Sequence, residues 1–307
     1  MNRAPKSLLI LTNPGSRKAT QARRFLENST ELRQSGIPVQ WTNIFDPEPL
    51  KTLPDRVFVV GGDGTVRLAV NWLSQQEWQA PVSIIPAGTG NNLCKGLNFP
   101  LDLEASLKRG LHSRTLRKVD TISISADGES WGQMLQITAT GLPARITQRF
   151  DRLRKLPLLK YPVQWAGDGV YRLLAIQSLL FEIRRNRSAR LVIDEEELQM
   201  NGPAIFIGNE ATIGGGFTPC PNAQLADGLL DVCILPRVSY LRAFSLFREV
   251  SAGRHLDHFP EVVYRQARKV TLIQESQPIL VDGDVLGSPK VLEFEIQPAS
   301  LQLITGS

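Results

Sequence analysis

Short apolar runs alternate with amphipathic segments over the first third of the 307-residue chain. The runs cover residues 7–13, 37–42, 56–60 and 82–86, and each is followed by a loop rich in Gly, Pro, Asn or Asp. Apolar positions recur at helical spacing near 19–34, 65–76 and 102–109. Because buried strands alternate with helices, this part of the chain is predicted to form an α/β domain with a parallel sheet.

The pattern changes after about residue 118 to short strands with alternating apolar and polar positions. The segments "VDTISIS" and "WGQMLQITA" flank the turn "ADGES", which predicts a β-hairpin. The whole region is typical of an antiparallel β-sandwich, with helical insertions at about 144–183 and 238–250. We therefore predict an α/β domain over 1–118 and an all-β domain over 119–297, with a tail at about 298–307 packing back on the first domain.

The composition, 42% hydrophobic and 21% charged, describes a chain that can bury a large core without covalent staples. The three cysteines, Cys94, Cys220 and Cys233, form no CxxC pair, so they indicate neither a disulfide framework nor a structural zinc site and favour a cytoplasmic location. No stretch has the roughly 18 consecutive apolar residues that a membrane span needs. We therefore expect neither a transmembrane segment nor a cleaved signal.

The formal net charge of +5 favours anionic partners such as phosphates, nucleic acid or acidic lipid headgroups. Basic residues are not interleaved with aromatic residues along a strand, which argues against nucleic acid.

The segment "VFVVGGDGTVRLAV" (57–70) predicts a strand, a glycine turn and a helix. Gly61 and Gly62 permit a sharp turn and a close approach of a ligand to the backbone. Asp63 and Thr65 fall at the start of the helix, whose first N–H groups lack internal partners and attract anions. Taken alone, the loop equally fits an ordinary strand-to-helix connection in which Asp63 or Thr65 caps the helix.

A second glycine turn, "PAGTGNN" (86–92), follows the fourth apolar run. Both glycine turns therefore fall at the C-terminal edge of the predicted parallel sheet, where such sheets bind ligands. Asn13 follows the first strand and Thr42 ends the second, so amide and hydroxyl groups also reach this edge. The four loops together predict a cradle for a polyphosphate or a nucleotide.

The motifs NPGS, GGDGT and PAGTGNN, in this order, resemble those of the diacylglycerol kinase catalytic family, which includes bacterial lipid kinases and sphingosine kinases. The segment "GNEATIGGGFTPCPNAQLADGLLDV" (208–232) is similar to the family's GGG, P-x-A and DG-x-L-D signature, and "VDGD" (281–284) to its late DGE motif. The resemblance covers nearly the whole chain, because both halves contribute motifs in the family's order.

The resemblance implies an ATP-dependent lipid kinase, acting on diacylglycerol or a related lipid at a membrane surface. It implies a nucleotide-binding α/β domain like that of NAD kinases and phosphofructokinases, then a β-sandwich, with ATP and the lipid hydroxyl meeting in the cleft between them. Asp63 would organise the phosphates and the metal. The residues implied at the nucleotide site are Asn13, Thr42, Gly61, Gly62, Gly64, Thr65, Gly88, Thr89, Gly90 and Asn91.

Two acidic residues in the second half acquire roles by the same resemblance. Asp227 matches a structural Mg²⁺ site that also uses backbone carbonyls, here those of Gln224 and Leu229, and oxygen ligands suit this ion. An Asp-Gly turn between strands is the alternative. Asp284 stands where the family has the glutamate proposed as general base for the lipid hydroxyl. Its side chain is one methylene shorter, and a misplacement of about 1 Å can be costly in catalysis.

Several acidic groups of the family pattern are absent. Arg67 and Leu68 stand where Asn-Glu usually follows GGDGT, Asn92 replaces the aspartate after GTGN, and Pro143 stands where relatives often have aspartate. Because fewer oxygen ligands are left for a metal, a catalytically weakened nucleotide- or lipid-binding regulator is one alternative. An NAD kinase-like enzyme, which would share the GGDG loop, is another.

The stretch "QRFDRLRKLPLLKYPVQW" (148–165) combines basic and bulky apolar residues. This combination suits either a peripheral contact with the inner face of a membrane or a helix packed on the sandwich with its charges in solvent. His255 and His258 are spaced to meet on a helical turn, but no third ligand accompanies them, so a metal site is not favoured. The sequence leaves a homodimer open.

Overall fold

The computed structural model describes residues 5–47, 53–76, 80–155, 188–214 and 216–305. The chain forms two compact units, Met1–Asp120 together with Pro298–Ser307, and Thr121–Gln297. Within the described part of the chain, no helix is long and apolar enough to cross a membrane. All three cysteines are buried, and they form no disulfide bond with one another.

The first unit contains a parallel sheet in the order β2-β1-β3-β4. These strands are β1 (Leu8–Thr12), β2 (Val39–Asn43), β3 (Arg56–Gly61) and β4 (Val82–Pro86). The end of a long later strand, whose Leu303 pairs in parallel with Val82, lies next to β4. Every residue of β1, β3 and β4 is buried, as expected for a parallel sheet covered on both faces.

Helices α1 (Arg17–Asn28), α2 (Thr30–Gln34), α3 (Asp63–Gln75), α4 (Asn92–Gly96) and α5 (Leu103–His112) complete the first unit. Leu26 of α1 and Leu107 of α5 pack on the sheet in one apolar cluster. The single helix predicted over 19–34 is two helices, because Ser29 has an extended backbone (ψ 124°) and its side chain caps α2 by accepting from Leu32 N.

The second unit contains two antiparallel sheets. Its strands are β5 (Leu116–Ala126, which begins in the first unit), β6 (Glu129–Met134), β7 (Ile137–Gly141), β8 (Ser188–Ile193), β9 (Glu196–Asn201), β10 (Ala204–Gly208), β11 (Leu230–Leu235), β12 (Val263–Ala267), β13 (Lys269–Gln274), β14 (Ile279–Val281), β15 (Asp284–Gly287) and β16 (Val291–Ile304, whose end belongs to the first unit). One sheet runs β16-β13-β8-β9 and includes β5 and β6, and the other runs β12-β11-β10-β7-β14-β15. Side chains of both sheets share one buried cluster, which includes Leu191, Phe294, Val232 and Val281. The predicted β-sandwich is confirmed.

The predicted hairpin is confirmed as β5–β6, which turns at Asp127 (φ 50°) and Gly128 (φ 86°). The helices of the second unit include α6 (Leu142–Lys155), α7 (Tyr240–Ser251) and α8 (His255–His258). The helix predicted at 238–250 corresponds to α7. The insertion predicted at 144–183 begins as α6, and residues 156–183 lie outside the described ranges.

Candidate functional site

The two glycine turns of the first unit pack backbone against backbone. A Cβ added to Gly62 would lie 2.8 Å from Gly88 Cα, and one added to Gly88 would lie 2.4 Å from Gly62 Cα. Ala87 N donates a hydrogen bond of 2.9 Å to Gly61 O, which extends the pairing of β3 and β4 into the turns. Any side chain at either position would force the turns apart, so the contact requires glycine on both sides.

Asp63 joins the first turn to the second. Its Oδ2 accepts a hydrogen bond from Asn92 N (3.1 Å) and its Oδ1 accepts one from Leu93 N (3.2 Å). These two donors are the first residues of α4, so the Asp63 carboxylate caps that helix from outside it. In the second turn, Asn91 has a left-handed backbone (φ 48°), and its Oδ1 accepts from Gly88 N (3.0 Å). Asp63 is therefore a tie between the two turns.

Asn13 links the loop after β1 to the first glycine turn. Its Nδ2 donates to Thr65 Oγ1 (3.2 Å), while its Oδ1 accepts from Gly15 N (3.0 Å). The Thr65 side chain also fills the space next to Gly61, where an added Cβ would lie 2.4 Å from Thr65 Cβ. The structure therefore brings Asn13, Gly61 and Thr65 together.

Thr42 lies at the end of β2 and is buried, with 6% of its surface exposed. Its backbone carbonyl accepts from Thr12 Oγ1 (3.4 Å), which connects the ends of β1 and β2. Thr42 therefore lies at the predicted edge of the sheet, on the strand next to β1.

The N-terminus of α3 lies next to the second glycine turn, because Gly62 contacts Gly88. Gly62 precedes α3 without a side-chain cap, Gly64 lies in its first turn, and the helix N-terminus attracts negative charge. Thr89 is exposed and Gly90 is half-buried in the second turn. Lys18, which the sequence reasoning missed, places its Nζ 3.4 Å from Gly88 O. The only sequence signal for Lys18 is a basic residue shortly after NPGS.

In the second unit, Asp282 holds a tight turn between β14 and β15. Asp282 and Gly283 have φ angles of 46° and 94°. The Asp282 carboxylate is buried and accepts three backbone N–H groups, those of Leu135 (2.9 Å), Gln136 (2.9 Å) and Ile137 (3.0 Å). Sequence reasoning missed this residue, although an Asp-Gly pair is a recognised turn signal.

Asp284, the predicted base, is the first residue of β15 and is exposed. The two acids of "VDGD" thus differ in their surroundings. The Asp282 carboxylate accepts backbone hydrogen bonds, whereas Asp284 is exposed to solvent.

A second buried acid, Glu210, is connected to the same turn. Its Oε2 accepts from Gln136 Nε2 (2.7 Å), and the backbone N of Gln136 donates to Asp282. Sequence reasoning missed Glu210, for which the only signal is the acid in "GNE" (208–210).

Asp227 lies in an Asp-Gly turn before β11. Its Oδ1 accepts from Leu229 N (3.0 Å), and Gly228 has φ 74°. Asp227 and Gln224 are exposed. Among the residues that the structure describes, no three His, Cys, Asp or Glu side chains are grouped to hold a metal ion. A donor set of one carboxylate and two carbonyls still suits Mg²⁺, which commonly binds one or two carboxylates and keeps several waters.

Asp227 precedes β11 and Asp284 begins β15, and these two strands are not neighbours in their sheet. In their sheet, the strands β10, β7 and β14 separate β11 from β15. At about 4.8 Å per strand, the two strands lie roughly 19 Å apart. A metal at Asp227 would therefore be separate from the proton transfer expected of Asp284.

Near Asp227, Asp231 is fully buried, and its Oδ1 accepts from Tyr264 Oη (2.7 Å) and Gln266 Nε2 (3.3 Å). Burial raises the pKa of Asp231, and the charge of Asp227 adds to this effect, while the hydrogen bond from Tyr264 opposes it.

The two histidines lie in different environments. His255 is buried, with its Nε2 3.2 Å from Pro219 O and 3.5 Å from Cys233 Sγ. His258 is exposed, with its Nδ1 2.9 Å from Arg254 O. The pair is therefore part of the packing around α8 and makes no paired metal site.

An apolar cavity of about 70 Å³ lies beneath α7 in the second unit. Its walls include Leu142 and Ile146 of α6, Phe206 of β10, and Leu246 and Phe247 of α7. Pro143 is also part of this wall. The cavity can accept apolar groups but offers few polar partners.

The comparisons with known proteins identify the family. The model of the diacylglycerol kinase catalytic domain matches residues 7–124, and the model of the YegS C-terminal NAD kinase beta sandwich-like domain matches residues 136–305. The chain belongs to the diacylglycerol kinase-like lipid kinases.

Individual relatives agree with this assignment to the lipid kinases. A diacylglycerol kinase of Mycobacterium tuberculosis is 29% identical over 255 residues, which cover 81% of this chain and 76% of the relative. A diacylglycerol kinase of Staphylococcus carnosus is 23% identical and covers 92% of this chain and 90% of its own. A crystal structure of a diacylglycerol kinase from Bacillus anthracis has the same fold, with a TM-score of 0.72 at 17% identity over 99% of both chains.

Proposed function

We propose that this lipid kinase transfers the γ-phosphoryl group of ATP to a hydroxyl of diacylglycerol or a related lipid. The observation that carries the proposal is the contact of Gly62 with Gly88, where no Cβ fits. Two loops without side chains at the ends of adjacent parallel strands let a phosphate chain approach the backbone closely.

The nucleotide would bind along the open side of the two turns. Backbone N–H groups at the start of α3, with Gly62 and Gly64, would donate to the phosphates. Thr89, Gly90 and Asn91 of the second turn would lie on the other side. Lys18 would add a positive charge to this side of the site. Asn13, Thr42, Gly61 and Thr65 would shape the floor, and Asp63 would hold the two turns in register.

The phosphoryl transfer would use Asp284 as general base. The lipid hydroxyl oxygen attacks the γ-phosphorus and its proton passes to the Asp284 carboxylate. The bond between the γ-phosphorus and the β–γ bridging oxygen breaks, and ADP leaves. Asp282 supports this role because it fixes the turn that presents Asp284.

Magnesium bound with ATP would neutralise charge on the phosphates during the transfer. A second, structural ion would bind at Asp227 with the carbonyls of Gln224 and Leu229. The Asp227 turn suits this role because its carboxylate is exposed and already fixed by Leu229 N.

The lipid would bind through its acyl chain in the second unit. The cavity beneath α7 has apolar walls, which suit an acyl chain. Pro143 is part of this wall, and an acidic side chain at the same position would suit an apolar ligand less well. This assignment favours a lipid acceptor over a soluble one such as NAD.

The direct test is to incubate the purified protein with γ-labelled ATP, Mg²⁺ and a panel of diacylglycerol, monoacylglycerol, sphingosine and NAD. We expect label in one of the lipids. The variant Asp284→Asn should lower kcat by at least about a hundredfold, since a general base contributes that much or more. Its melting temperature should stay near that of the wild type.

Other outcomes identify the alternatives. Label in NAD and in no lipid would establish an NAD kinase-like enzyme. Binding of ATP by calorimetry, without turnover of any acceptor and without a gain from Asp284→Glu, would establish a regulator that has lost catalysis. Either result contradicts the proposal.

A further inference from the structure

The outer face of α7 carries exposed apolar side chains. Leu241 is 90% exposed and Phe244 is 59% exposed. With Arg248 they occupy positions i, i+3 and i+7, so the three side chains share one side of the helix. On the opposite side, Ala243, Leu246 and Val250 are buried. The helix therefore has an apolar inner face in the core and an apolar strip in solvent.

A pocket rich in arginine borders this strip. Arg242, Arg248, Arg254 and His258 surround Glu249 in an open polar pocket of about 450 Å³. Glu249 Oε1 accepts from Arg248 Nη2 (2.9 Å), and its Oε2 accepts from Arg254 Nε (3.1 Å). The hydrogen bond from Arg248 lowers the pKa of Glu249. Glu249 is almost completely buried and so acts as a fixed anchor for the two guanidinium groups.

The anchored arginines keep N–H donors for a further anion. A guanidinium group has five N–H donors, and the Arg254 side chain uses its Nε on Glu249 while 58% of it is exposed. The Arg248 side chain is 70% exposed. Arg242 is bound to Glu261 (2.7 Å) and contributes less. The segment 237–258 contains four arginines against two acidic residues, Glu249 and Asp257.

We propose that the outer face of α7, formed by Leu241, Phe244 and the Arg248–Arg254 pocket, docks on an anionic phospholipid bilayer. Leu241 and Phe244 would enter the interface between headgroups and acyl chains, and the arginines would bind lipid phosphates. A soluble anion would explain the arginines but leave the apolar strip without a role. The proposal rests on the proposed function in one respect, since a kinase for a lipid must reach a substrate dissolved in a bilayer.

The continuity of α7 with the apolar cavity supports this choice of partner. Leu246 and Phe247, on the other side of the same helix, form part of the cavity wall. A bilayer held at the outer face would thus adjoin the helix that borders the apolar space.

The test is sedimentation of the full-length protein with vesicles of pure phosphatidylcholine and of phosphatidylcholine mixed with phosphatidylglycerol. We expect binding to the mixed vesicles that weakens as salt rises. The variant Arg248→Gln should weaken binding about fivefold, and L241S/F244S about tenfold. Matched controls are Arg190→Gln, an exposed arginine paired with Glu197, and Leu101→Ser, an exposed leucine of the first unit. Both controls should bind like the wild type.

The result that overturns the inference is binding to mixed vesicles that the α7 variants do not change, or no binding at all. A dimer in analytical ultracentrifugation that L241S/F244S dissociates would also overturn it, because the strip would then cover a second copy of the chain. Kinase activity on a short-chain lipid in free solution distinguishes failure of the proposed docking surface from failure of the proposed kinase function. Activity there without vesicle binding refutes only the docking surface, and α7-dependent vesicle binding without activity refutes only the kinase.

Discussion

At the scale of single residues, the two aspartates of "VDGD" have different surroundings, and we expect them to have different roles. Asp282 accepts three backbone N–H groups while buried, and Asp284 is exposed. We expect Asp282→Asn to lower the free energy of unfolding by roughly 2–4 kcal/mol, because an amide cannot replace both carboxylate oxygens as acceptors. Urea denaturation measures this loss.

Asp284→Asn is the matched control for that experiment. At an exposed position we expect a change within about 0.5 kcal/mol in stability, together with the loss of kcat described above. A large loss of stability in both variants, or in neither, would contradict the division of roles.

A buried histidine gives the fold a dependence on pH. Burial lowers the pKa of His255 below its usual value of 6.5, and the hydrogen bond with Pro219 only partly opposes this. In the unfolded chain His255 therefore binds a proton at a higher pH than in the folded one. The stability it provides is complete above about pH 6.5 and falls as the pH is lowered through the folded pKa.

We expect the variant His255→Gln to lose part of this acid sensitivity. Its free energy of unfolding should fall less steeply than that of the wild type between about pH 7.5 and 5.5. Equal slopes in urea titrations across this range would refute the assignment.

The sequence predicted the glycine turns, but not the contacts that hold the two turns together. Gly62 and Gly88 stand out because glycine-rich turns follow apolar runs, which is a local signal. The partner of Asp63 could not be predicted in this way, because Asn92 and Leu93 lie about thirty residues further along and meet Asp63 only in the folded sheet. The same applies to Lys18 and Glu210.

At the scale of elements, the cap that Asp63 provides for α4 is one of the connections between the two glycine turns, and the only one described that uses a charged side chain. We expect Asp63→Ala to lower the free energy of unfolding by about 1 kcal/mol and to speed hydrogen exchange at the amides of Asn92 and Leu93 about fivefold. It should also weaken ATP binding, since the two turns lose their tie.

Asp102→Ala is the matched control for Asp63→Ala. Asp102 caps α5 in the same unit, where its Oδ1 accepts from Ala105 N (2.9 Å), away from the glycine turns. The Asp102→Ala variant should lower the free energy of unfolding by a similar amount and leave the ATP dissociation constant unchanged. Equal ATP affinities in the two variants would mean that the Asp63 cap has no role in nucleotide binding.

Most elements could be predicted because their apolar period is local. The buried strands β1, β3 and β4 and the hairpin β5–β6 follow directly from the pattern. The break at Ser29 was missed because serine is compatible with both a helix and a cap. Helix α4 was missed because five residues are too few to show a period.

At the scale of the whole molecule, β16 contributes to both units. Residues 298–304 belong to the first unit, where Leu303 is buried beside Val82 and Ala299 N donates to Asp120 Oδ1 (2.7 Å). We expect removal of residues 298–307 to leave the first unit open to proteases and unable to bind ATP, since the strand next to β4 is lost.

Single substitutions test the role of the same strand without removing it. Leu303→Ala should lower the free energy of unfolding by roughly 2–5 kcal/mol, as for other buried leucines. Gln302→Ala, at the partly exposed neighbouring position, should change it little. Limited proteolysis reports the opening of the first unit, and calorimetric titration reports the affinity for ATP. A truncated protein with wild-type ATP affinity would contradict this view of β16.

The route of β16 also constrains how the chain is made. A translating ribosome releases the first 120 residues long before it polymerises the segment that completes their sheet. Until then the flank of β4 stays unpaired, and a chaperone that shields this edge should raise the yield of active enzyme.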